Sequence, residues 1–402
     1  MENYTKINCI RKRQFWIIAL FILFGCNSEQ NKGLVSNRLI TLNINPHKTN
    51  TLEEFISKVE SVRFLPLESN ADNPIDWVRK VWITDKSIFL YTGHTKEVHK
   101  YGHDGSFKFK IEKKGKGKEE LNWVFDFCPA PNDGLFVLGY LQYYEFDSLG
   151  KMTQTHSIDI PYNDFDIFSF FIANDTFSIY SGYSSNQNNK IAKYNICILN
   201  NHTSESYFCM QQYTKGMAPK VFQQSNEKVL VNPFFGHDTI YIWDNNHVEP
   251  LFCIDFGEYK TPLDKIPVDH HNGQVAISFL KENPGCMFIR YVFMSNDWLT
   301  FIFTFNNNEY KVLYHKKKKD MLIGNHRLEL FEHILFGSVP LAVFQDEFIS
   351  AVPAYEIVKK LENNTLDFKF LSEARHQEII DQLKKVKEKD NPVLMFVKMK
   401  PE

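Results

Sequence analysis

The chain has 402 residues, enough for one large domain or for more than one of ordinary size. Hydrophobic residues make up 43% and charged residues 23%, so a sizeable core can be buried and wholesale disorder is excluded. Lys and Arg number 46 against 48 Asp and Glu, and a net charge of −2 lacks the basic surplus that a nucleic-acid partner requires. Aromatic residues reach 15%, with 36 phenylalanines, a composition that favours strands.

The N-terminus reads as an export signal. Lys6, Arg11, Lys12 and Arg13 form a positive region ahead of an apolar run from Phe15 to Phe24. That run has the length of a signal-peptide core and is too short to span a membrane. It ends in Leu23-Phe24-Gly25-Cys26, which resembles the bacterial lipobox, with a Leu three residues before a lipidated Cys and a small residue just ahead of it. The resemblance implies cleavage after residue 25 and diacylglycerol on the Cys26 thiol. Several acyl chains together hold a protein stably where one alone would not. The polar stretch from Asn27 to Asn37 reads as the start of a tether placed at residues 26–50. Asn27, in place of an inner-membrane retention Asp, points to the outer membrane, on either its periplasmic or its exterior face.

From Val59 onward, short apolar runs alternate with turn signals. Val59 to Leu67, Lys80 to Thr84, Ser87 to Thr92 and Val98 to Tyr101 read as strands. After the His103-Asp104-Gly105-Ser106 turn, Phe107, Phe109 and Ile111 alternate with Lys108, Lys110 and Glu112, the period of a half-buried strand. The pattern returns through Val124 to Cys128, Leu135 to Tyr140, Tyr143 to Asp147 and Thr153 to Ile160. Comparable turns fall at Asp104-Gly105, Leu149-Gly150, Asn200-Asn201, Asn245-Asn246 and Asn307-Asn308, spaced 45, 51, 45 and 62 residues apart. Four strands in about 40–50 residues is the unit of a β-propeller blade, whose faces are buried only against neighbouring blades. Near the C-terminus, Glu373 to Lys389 puts Ile379, Ile380, Leu383 and Val386 on one helical face, with Ser372 as N-cap. Asp390-Asn391-Pro392 stops that helix, and Val393 to Met399 is a strand.

Arg63-Phe64-Leu65-Pro66-Leu67-Glu68, the Tyr101-Gly102-His103-Asp104-Gly105 turn, Lys113 to Glu120 (KKGKGKEE) and Asn391-Pro392-Val393-Leu394 carry a resemblance. They are similar to the "PLE", aspartate-glycine, "GxGxxE" and "NPV" motifs of the six-bladed β-propeller lipoproteins of Bacteroides-type bacteria, an NHL-like propeller family. The resemblance covers the chain after the tether. It implies an all-β fold, a six-bladed β-propeller over residues 51–402 with a C-terminal helix and closing strand, in the cell envelope. No general activity comes with that family.

A ring built from both chain ends must be joined there, or open edges remain as templates for aggregation. Val59 to Leu67 and Val393 to Met399 are each surplus to the repeat. Both are therefore expected in one blade with strands around Leu341 to Ala351, with the Ile379, Leu383 and Val386 face packed outside it.

Chemistry-bearing motifs are scarce. Nucleophile-elbow, zinc-helix, Walker and calcium-loop patterns do not occur. Gly115-Lys116-Gly117-Lys118 lacks the spacing and the hydroxyl residue of a phosphate loop. His94, His99 and His103 spread over a strand and a turn, a poor arrangement for a shared metal. His270-His271 beside Asp264 and Asp269, and the pair Asp164 and Asp166, read as loop or channel-rim residues. Lys316 to Lys319 reads as a hairpin tip, with anionic lipid headgroups as the sharper alternative. Cys128, Cys197, Cys209, Cys253 and Cys286 show no CxxC spacing and read as free thiols, with Cys197 and Cys209 placed across one hairpin. No catalytic, cofactor-binding or metal residue is assigned, no cofactor is expected, and Cys26 is the single site assigned, for lipid attachment. The expected function is a lipid-anchored, non-catalytic module binding a glycan, a peptide or an envelope protein. The alternative is a lactonase-like propeller hydrolase or lyase with a divalent cation in its channel, because propellers can gather site residues from separate blades.

Overall fold

The computed structural model describes residues 39–112, 121, 123–140, 142–158, 165–172, 177–184, 194–200, 204–210, 222–232, 237–244, 247–262, 265, 273–326, 330, 333–366 and 368–401. Along the chain, β1 (Ile40–Asn43) leads to α1 (Leu52–Ser57) and β2 (Val59–Pro66). A reciprocal cap starts α1: the Thr51 hydroxyl accepts from the Glu54 N–H, and the Glu54 carboxylate accepts from the Thr51 N–H at 2.7 Å. Four-stranded antiparallel sheets follow. The first is β3 (Val78–Ile83), β4 (Ile88–Thr92), β5 (Val98–Tyr101) and β6 (Phe107–Ile111). The second is β7 (Asp126–Ala130), β8 (Gly134–Leu138), β9 (Gln142–Phe146) and β10 (Met152–Ser157). The third is β11 (Phe165–Ile172), β12 (Phe177–Ser184), β13 (Tyr194–Asn200) and β14 (Ser204–Met210).

Next come β15 (Phe222–Ser225), β16 (Lys228–Val231), β17 (Thr239–Asp244) and β18 (His247–Asp255). Helix α2 (Gly273–Glu282) precedes the sheet of β19 (Cys286–Met294), β20 (Trp298–Phe305), β21 (Asn308–His315) and β22 (Met321–Asn325). The chain ends with α3 (Ile334–Gly337), β23 (Ala342–Phe344), β24 (Glu347–Val352), α4 (Ala354–Glu362), α5 (Glu373–Leu383) and β25 (Val393–Met399). A nine-stranded sheet runs β1-β18-β17-β16-β15-β23-β24-β25-β2. Its middle junction is one parallel pair, Ser225 with Val343, so it consists of two four-stranded antiparallel groups with β1 added at one edge.

The C-terminal group joins the chain ends. β25 lies between β24 and β2, pairing Phe396 with Ile349 on one side and with Arg63 on the other. The strands expected to close the fold therefore do share one sheet. Arg63 reinforces the seam, with its guanidinium against Glu347 and 3.5 Å from the centre of the Phe396 ring. Helix α5 docks on β2, with Ile379 and Leu383 fully buried and Gln382 donating to the Phe64 carbonyl at 2.9 Å. Ser372 caps it as expected, but it ends at Leu383 rather than Lys389.

Apolar residues are buried between sheets rather than within one. Phe89 and Tyr91 of the first sheet meet Phe127, Leu135 and Val137 of the second. Leu230, Ile240 and Phe252 meet Ile289, Phe301 and Val312. Val81, Ile88 and Leu90 meet Ile349, Leu394 and Phe396. A strand with both faces covered in this way reads as a continuous apolar run, as IFLYT in β4 does.

Polar side chains stitch the first strands of neighbouring groups together. Lys80 of β3 donates to Asp126 of β7 at 2.8 Å and to the Phe127 carbonyl at 2.7 Å, and Asp126 also accepts from Ser169 of β11. Gln224 of β15 accepts from the Ile83 N–H at 2.7 Å and donates to the Ile83 carbonyl at 2.6 Å. Ser225 accepts from the Met294 N–H of β19 at 3.0 Å. These bonds fix how the strand ends converge.

Several expectations need correction. Residues 40–43 pair parallel with β18, from Ile40 with Phe252 to Asn43 with Asp255, so the tether expected through residue 50 gives way to structure from residue 40. The turn expected at Asn307-Asn308 is Asn306-Asn307, both at positive φ, between the paired residues Phe305 and Asn308. Helices α1 to α4 interrupt the strand pattern, and no local repeat announced them. Cys197 and Cys209 lie on paired strands, but the register sets Cys197 opposite Tyr207. The pairing of Asn200 with Ser204 sets a register whose centre falls one position short of the one expected at Thr203.

Candidate functional site

A cavity of about 810 Å³ opens where β3, β15, β19, the segment 333–341 and α4 converge. Three of its aromatic side chains are open, with Trp77 56% exposed, Tyr355 54% and Tyr291 38%, while Phe222 and Phe293 are buried. Trp77 is nevertheless held firmly. Its carbonyl accepts the Gly93 N–H at 2.6 Å, and its N–H is held by Asp76. The indole lies so close over Gly93 that a Cβ there would fall 2.4 Å from the ring, so only glycine fits. Burial opposes ionisation of Asp76, yet N–H bonds from Trp77, His94, Thr95 and Gly93 keep its carboxyl below the usual range. A charged Asp76 thus pins the loop that carries the indole.

Cations surround this aromatic rim. Arg79 lies 5.7 Å from the Trp77 ring centre. Arg290, Lys359 and Lys360 line the cavity with Lys80, against a single carboxylate, Glu356, among the described lining residues. Within the set, Lys80 pairs with Asp126 and Arg290 with Glu309. Lys and Arg thus outnumber carboxylates among the described lining residues, in a chain whose net charge is −2. A cleft of one sign concentrates ligands of the other.

Strand β19 is bent to serve the cavity. Its pairing with β20 slips between Met287 and Arg290 and again between Arg290 and Phe293. Within the slips, Phe288 and Tyr291 sit at φ 58° and 53°. Bulky residues in the left-handed region are strained, and such strain gathers at functional sites. The two bulges flank Arg290 and deliver both it and Tyr291 to the cavity wall. Two buried polar atoms of lining residues, Gln223 Oε1 and Arg290 Nε, find no partner among the described residues. Behind the wall, Lys311 donates to the Phe336 carbonyl at 3.2 Å, and burial pushes its ammonium down to about 7.

The comparisons bear on the whole of this architecture. Residues 39–398 match the model of a family described as a domain of unknown function, DUF4934. The chain belongs to the DUF4934 family. No curated protein matches it. A solved protein of Bacteroides fragilis designated as exported is similar in fold, with a TM-score of 0.70 at 13% identity over 90% of this chain and 99% of that one. The extracellular domain of a one-component system of Bacteroides thetaiotaomicron gives a TM-score of 0.36 at 11% identity, over 68% and 32% of the two chains. The WD40 domain of Neurospora crassa Pan2 gives 0.35 at 11% identity, over 69% and 73%. At these identities the first likeness shows the fold alone, and the other two carry no argument.

In this DUF4934 chain the residues singled out by sequence do not make a common site. His94 lies near the Trp77 ring, His99 is buried against Glu97 at 2.9 Å, and His103 bonds the Thr84 carbonyl at 2.9 Å. Lys316 to Lys319 form the β21–β22 turn, where Lys317 pairs with Asp297 at 3.1 Å and burial lowers the pKa of Lys316. Cys26, Gly115 to Lys118, Asp164, Asp264 and Asp269 to His271 lie outside the described residues, and Asp166 is placed only as a member of β11. Among the described residues no group of three His, Cys, Asp or Glu side chains is gathered as a metal site. Cys128, Cys253 and Cys286 are free, and burial raises the Cys128 and Cys286 thiols to about 12.

Three of the four short motifs behind the family resemblance meet in space as structure rather than as chemistry, and the fourth, residues 113–120, lies outside the described residues. The Glu68 N–H donates to the Gly105 carbonyl at 2.9 Å, and Asn391 donates to the Glu68 carbonyl at 2.9 Å. The cavity itself was missed. Its available signal was cationic residues inside apolar strands, Arg79 and Lys80 in VRKVWI and Arg290 in CMFIRYVFM.

Proposed function

We propose that this chain is a lipid-anchored, six-bladed β-propeller of the bacterial cell envelope that works as a non-catalytic binding module for a glycan, a peptide or an envelope protein. The six blades are the four separate sheets and the two halves of the nine-stranded sheet, with β2 and β25 closing the ring in one blade. The observation that carries the binding role is the cavity of about 810 Å³ at the convergence of the inner strands, with its exposed aromatic rim. Pockets of this size suit small ligands or one end of a longer one.

Export and anchoring rest on the charged N-terminus, the apolar run to Phe24 and the Gly25-Cys26 pair. The designation of the Bacteroides fragilis neighbour as exported agrees with them. Acylated Cys26 ties the module to the membrane, and Asn27 directs it to the outer one. Cys26→Ala is expected to move the protein from the membrane to the soluble envelope fraction; retention after a high-salt wash would contradict the anchor. A carbohydrate and peptide array probed with the full chain tests the binding role. A ligand whose signal is lost with Trp77→Ala supports it, whereas turnover of an array component would contradict it.

A further inference from the structure

We infer that an uncharged polysaccharide lies along an arc of exposed aromatic rings, Tyr355, Trp77, Trp123 and Tyr140, with part of the sugar chain over the cavity. This rests on the reading of the cavity as a binding site. It extends that site onto the sheet of β7 to β10, which contributes no described residue to the cavity lining, and names the ligand class.

Among the described residues, the exposed large apolar side chains divide by kind. The aliphatic ones, Leu39, Ile40 and Leu149, lie around β1 and in the β9–β10 turn. Most of the aromatic ones gather elsewhere, at one end of neighbouring sheets. Trp77 immediately precedes β3, Trp123 lies just ahead of β7 and is 55% exposed, and Tyr140 is in the β8–β9 turn and 60% exposed. The bond from Lys80 to Asp126 sets β3 beside β7, and the Tyr91 hydroxyl donates at 2.7 Å to the carbonyl of Val124, next to Trp123, so the two indole sites adjoin. Tyr355, in the first turn of α4, shares the cavity mouth with Trp77. A single exposed ring is ordinary, but a gathering of rings continuous with a cavity marks a ligand surface.

Both indoles are held in place. Trp77 lies against Gly93, and Trp123 stacks on Phe125 with ring centres 6.1 Å apart and planes 8° from parallel. Rings fixed in this way present apolar surface without an ordering cost at binding. A pyranose offers the matching face, a patch of C–H groups with hydroxyls around its edge. Donors for those hydroxyls stand among the rings: Arg79 lies 5.7 Å from the Trp77 ring centre and Lys96 lies 6.0 Å from that of Tyr91.

Charge does not select this ligand, because Lys80, Arg290 and Lys360 are already engaged within the chain. The Tyr355 hydroxyl donates to Glu356 at 3.3 Å, so its ring is the part that serves a sugar. A protein partner calls for a contiguous apolar core depleted of charge, whereas charged side chains separate these rings. A chain of sugars repeats an apolar face and a hydroxyl edge in every unit and matches that alternation.

Titration calorimetry of the full chain in a detergent without sugar groups tests maltohexaose, cellohexaose, xylohexaose, mannohexaose and laminarihexaose, with tetragalacturonate and decaproline beside them. At least one neutral hexasaccharide is expected to bind, with an affinity nearly unchanged from about 0.05 to 0.5 M salt and at least about tenfold above that of its disaccharide. Trp77→Ala and Trp123→Ala should each weaken it about tenfold, as loss of an aromatic anchor does. Trp123→Phe keeps a ring on Phe125 and should retain most of the affinity, which separates stacking from misfolding. Binding that needs Trp77 but ignores Trp123→Ala would confine the ligand to the cavity, overturning the arc and leaving the binding-module reading standing. No binding of any neutral hexasaccharide at millimolar concentration would overturn the polysaccharide assignment. Binding of tetragalacturonate or decaproline alone would overturn it too, and again leave the binding-module reading standing.

Discussion

Asn391 accepts the backbone N–H of Ile75 at 2.8 Å, a bond between residues 316 apart in the chain. The same side chain donates to the Glu68 carbonyl at 2.9 Å and to the Asn73 carbonyl at 3.0 Å. It is buried at the start of β25, where the last strand enters the sheet that holds β2. One amide thus bonds three backbone groups at the seam between the chain ends, of which the Glu68 carbonyl also accepts from the Asn73 side chain at 3.1 Å. Asn391→Ala is expected to destabilise by roughly 2 kcal/mol or more, since each buried polar group left unpaired costs about 1–3 kcal/mol. Urea unfolding checks this, and a loss under about 1 kcal/mol would mean that the seam is held elsewhere. Deleting residues 391–402 should be far worse, exposing a ladder edge together with Val393, Met395 and Val397.

The Lys80–Asp126 pair is almost fully buried at 2.8 Å. Asp126→Asn keeps an acceptor for Ser169 but leaves an ammonium without its counter-charge, and is expected to cost about 3–5 kcal/mol. Adding Lys80→Met removes that charge and should recover much of the loss. A double-mutant cycle reads this, and additive losses would show that the two charges do not act as a pair.

Lys311 gives a pH signature. Its buried ammonium titrates near 7 in the folded chain, while the ordinary value is 10.5. Below about pH 7 both states hold the proton, and the folded state bears the cost of the buried charge in full. Between the two values the unfolded chain binds a proton that the folded chain has released. Stability therefore rises with pH there, by up to about 1.4 kcal/mol per unit. Lys311→Met removes this rise, so its stability relative to the parent should be highest near pH 6 and should shrink by pH 10. A difference that stays constant with pH would contradict the assignment.

What the sequence made legible was periodic and local. The Phe107, Phe109 and Ile111 alternation, the Asp104-Gly105 turn and the Ser372 cap each need only near neighbours, and each lies where the pattern placed it. The β2–β25 pairing was legible for a different reason: two strands in excess of a repeat have few other places to go. The cavity was not legible, because Trp77, Gln223, Arg290 and Lys359 come from four distant segments and no spacing links them. The bulges at Phe288 and Tyr291 were hidden as well, since an aromatic residue in a strand gives no sign of positive φ.

Tyr291 allows strain to be separated from binding. Asn tolerates the left-handed region better than a bulky ring, so Tyr291→Asn is expected to leave stability unchanged or to raise it by up to about 1 kcal/mol. The same change removes a phenol from the cavity and should weaken ligand binding. A variant that melts well below the parent would show that the ring earns its position by packing alone.

The most direct measurement is hydrogen exchange of the full chain with and without the ligand that gives the strongest array signal. The account predicts joint protection of residues 77–81, 222–224, 290–293, 337–341 and 355–365, segments that meet only around the cavity. Protection confined to one segment, or centred on the outer strands β6, β10 and β22, would contradict a binding site at the convergence of the inner strands.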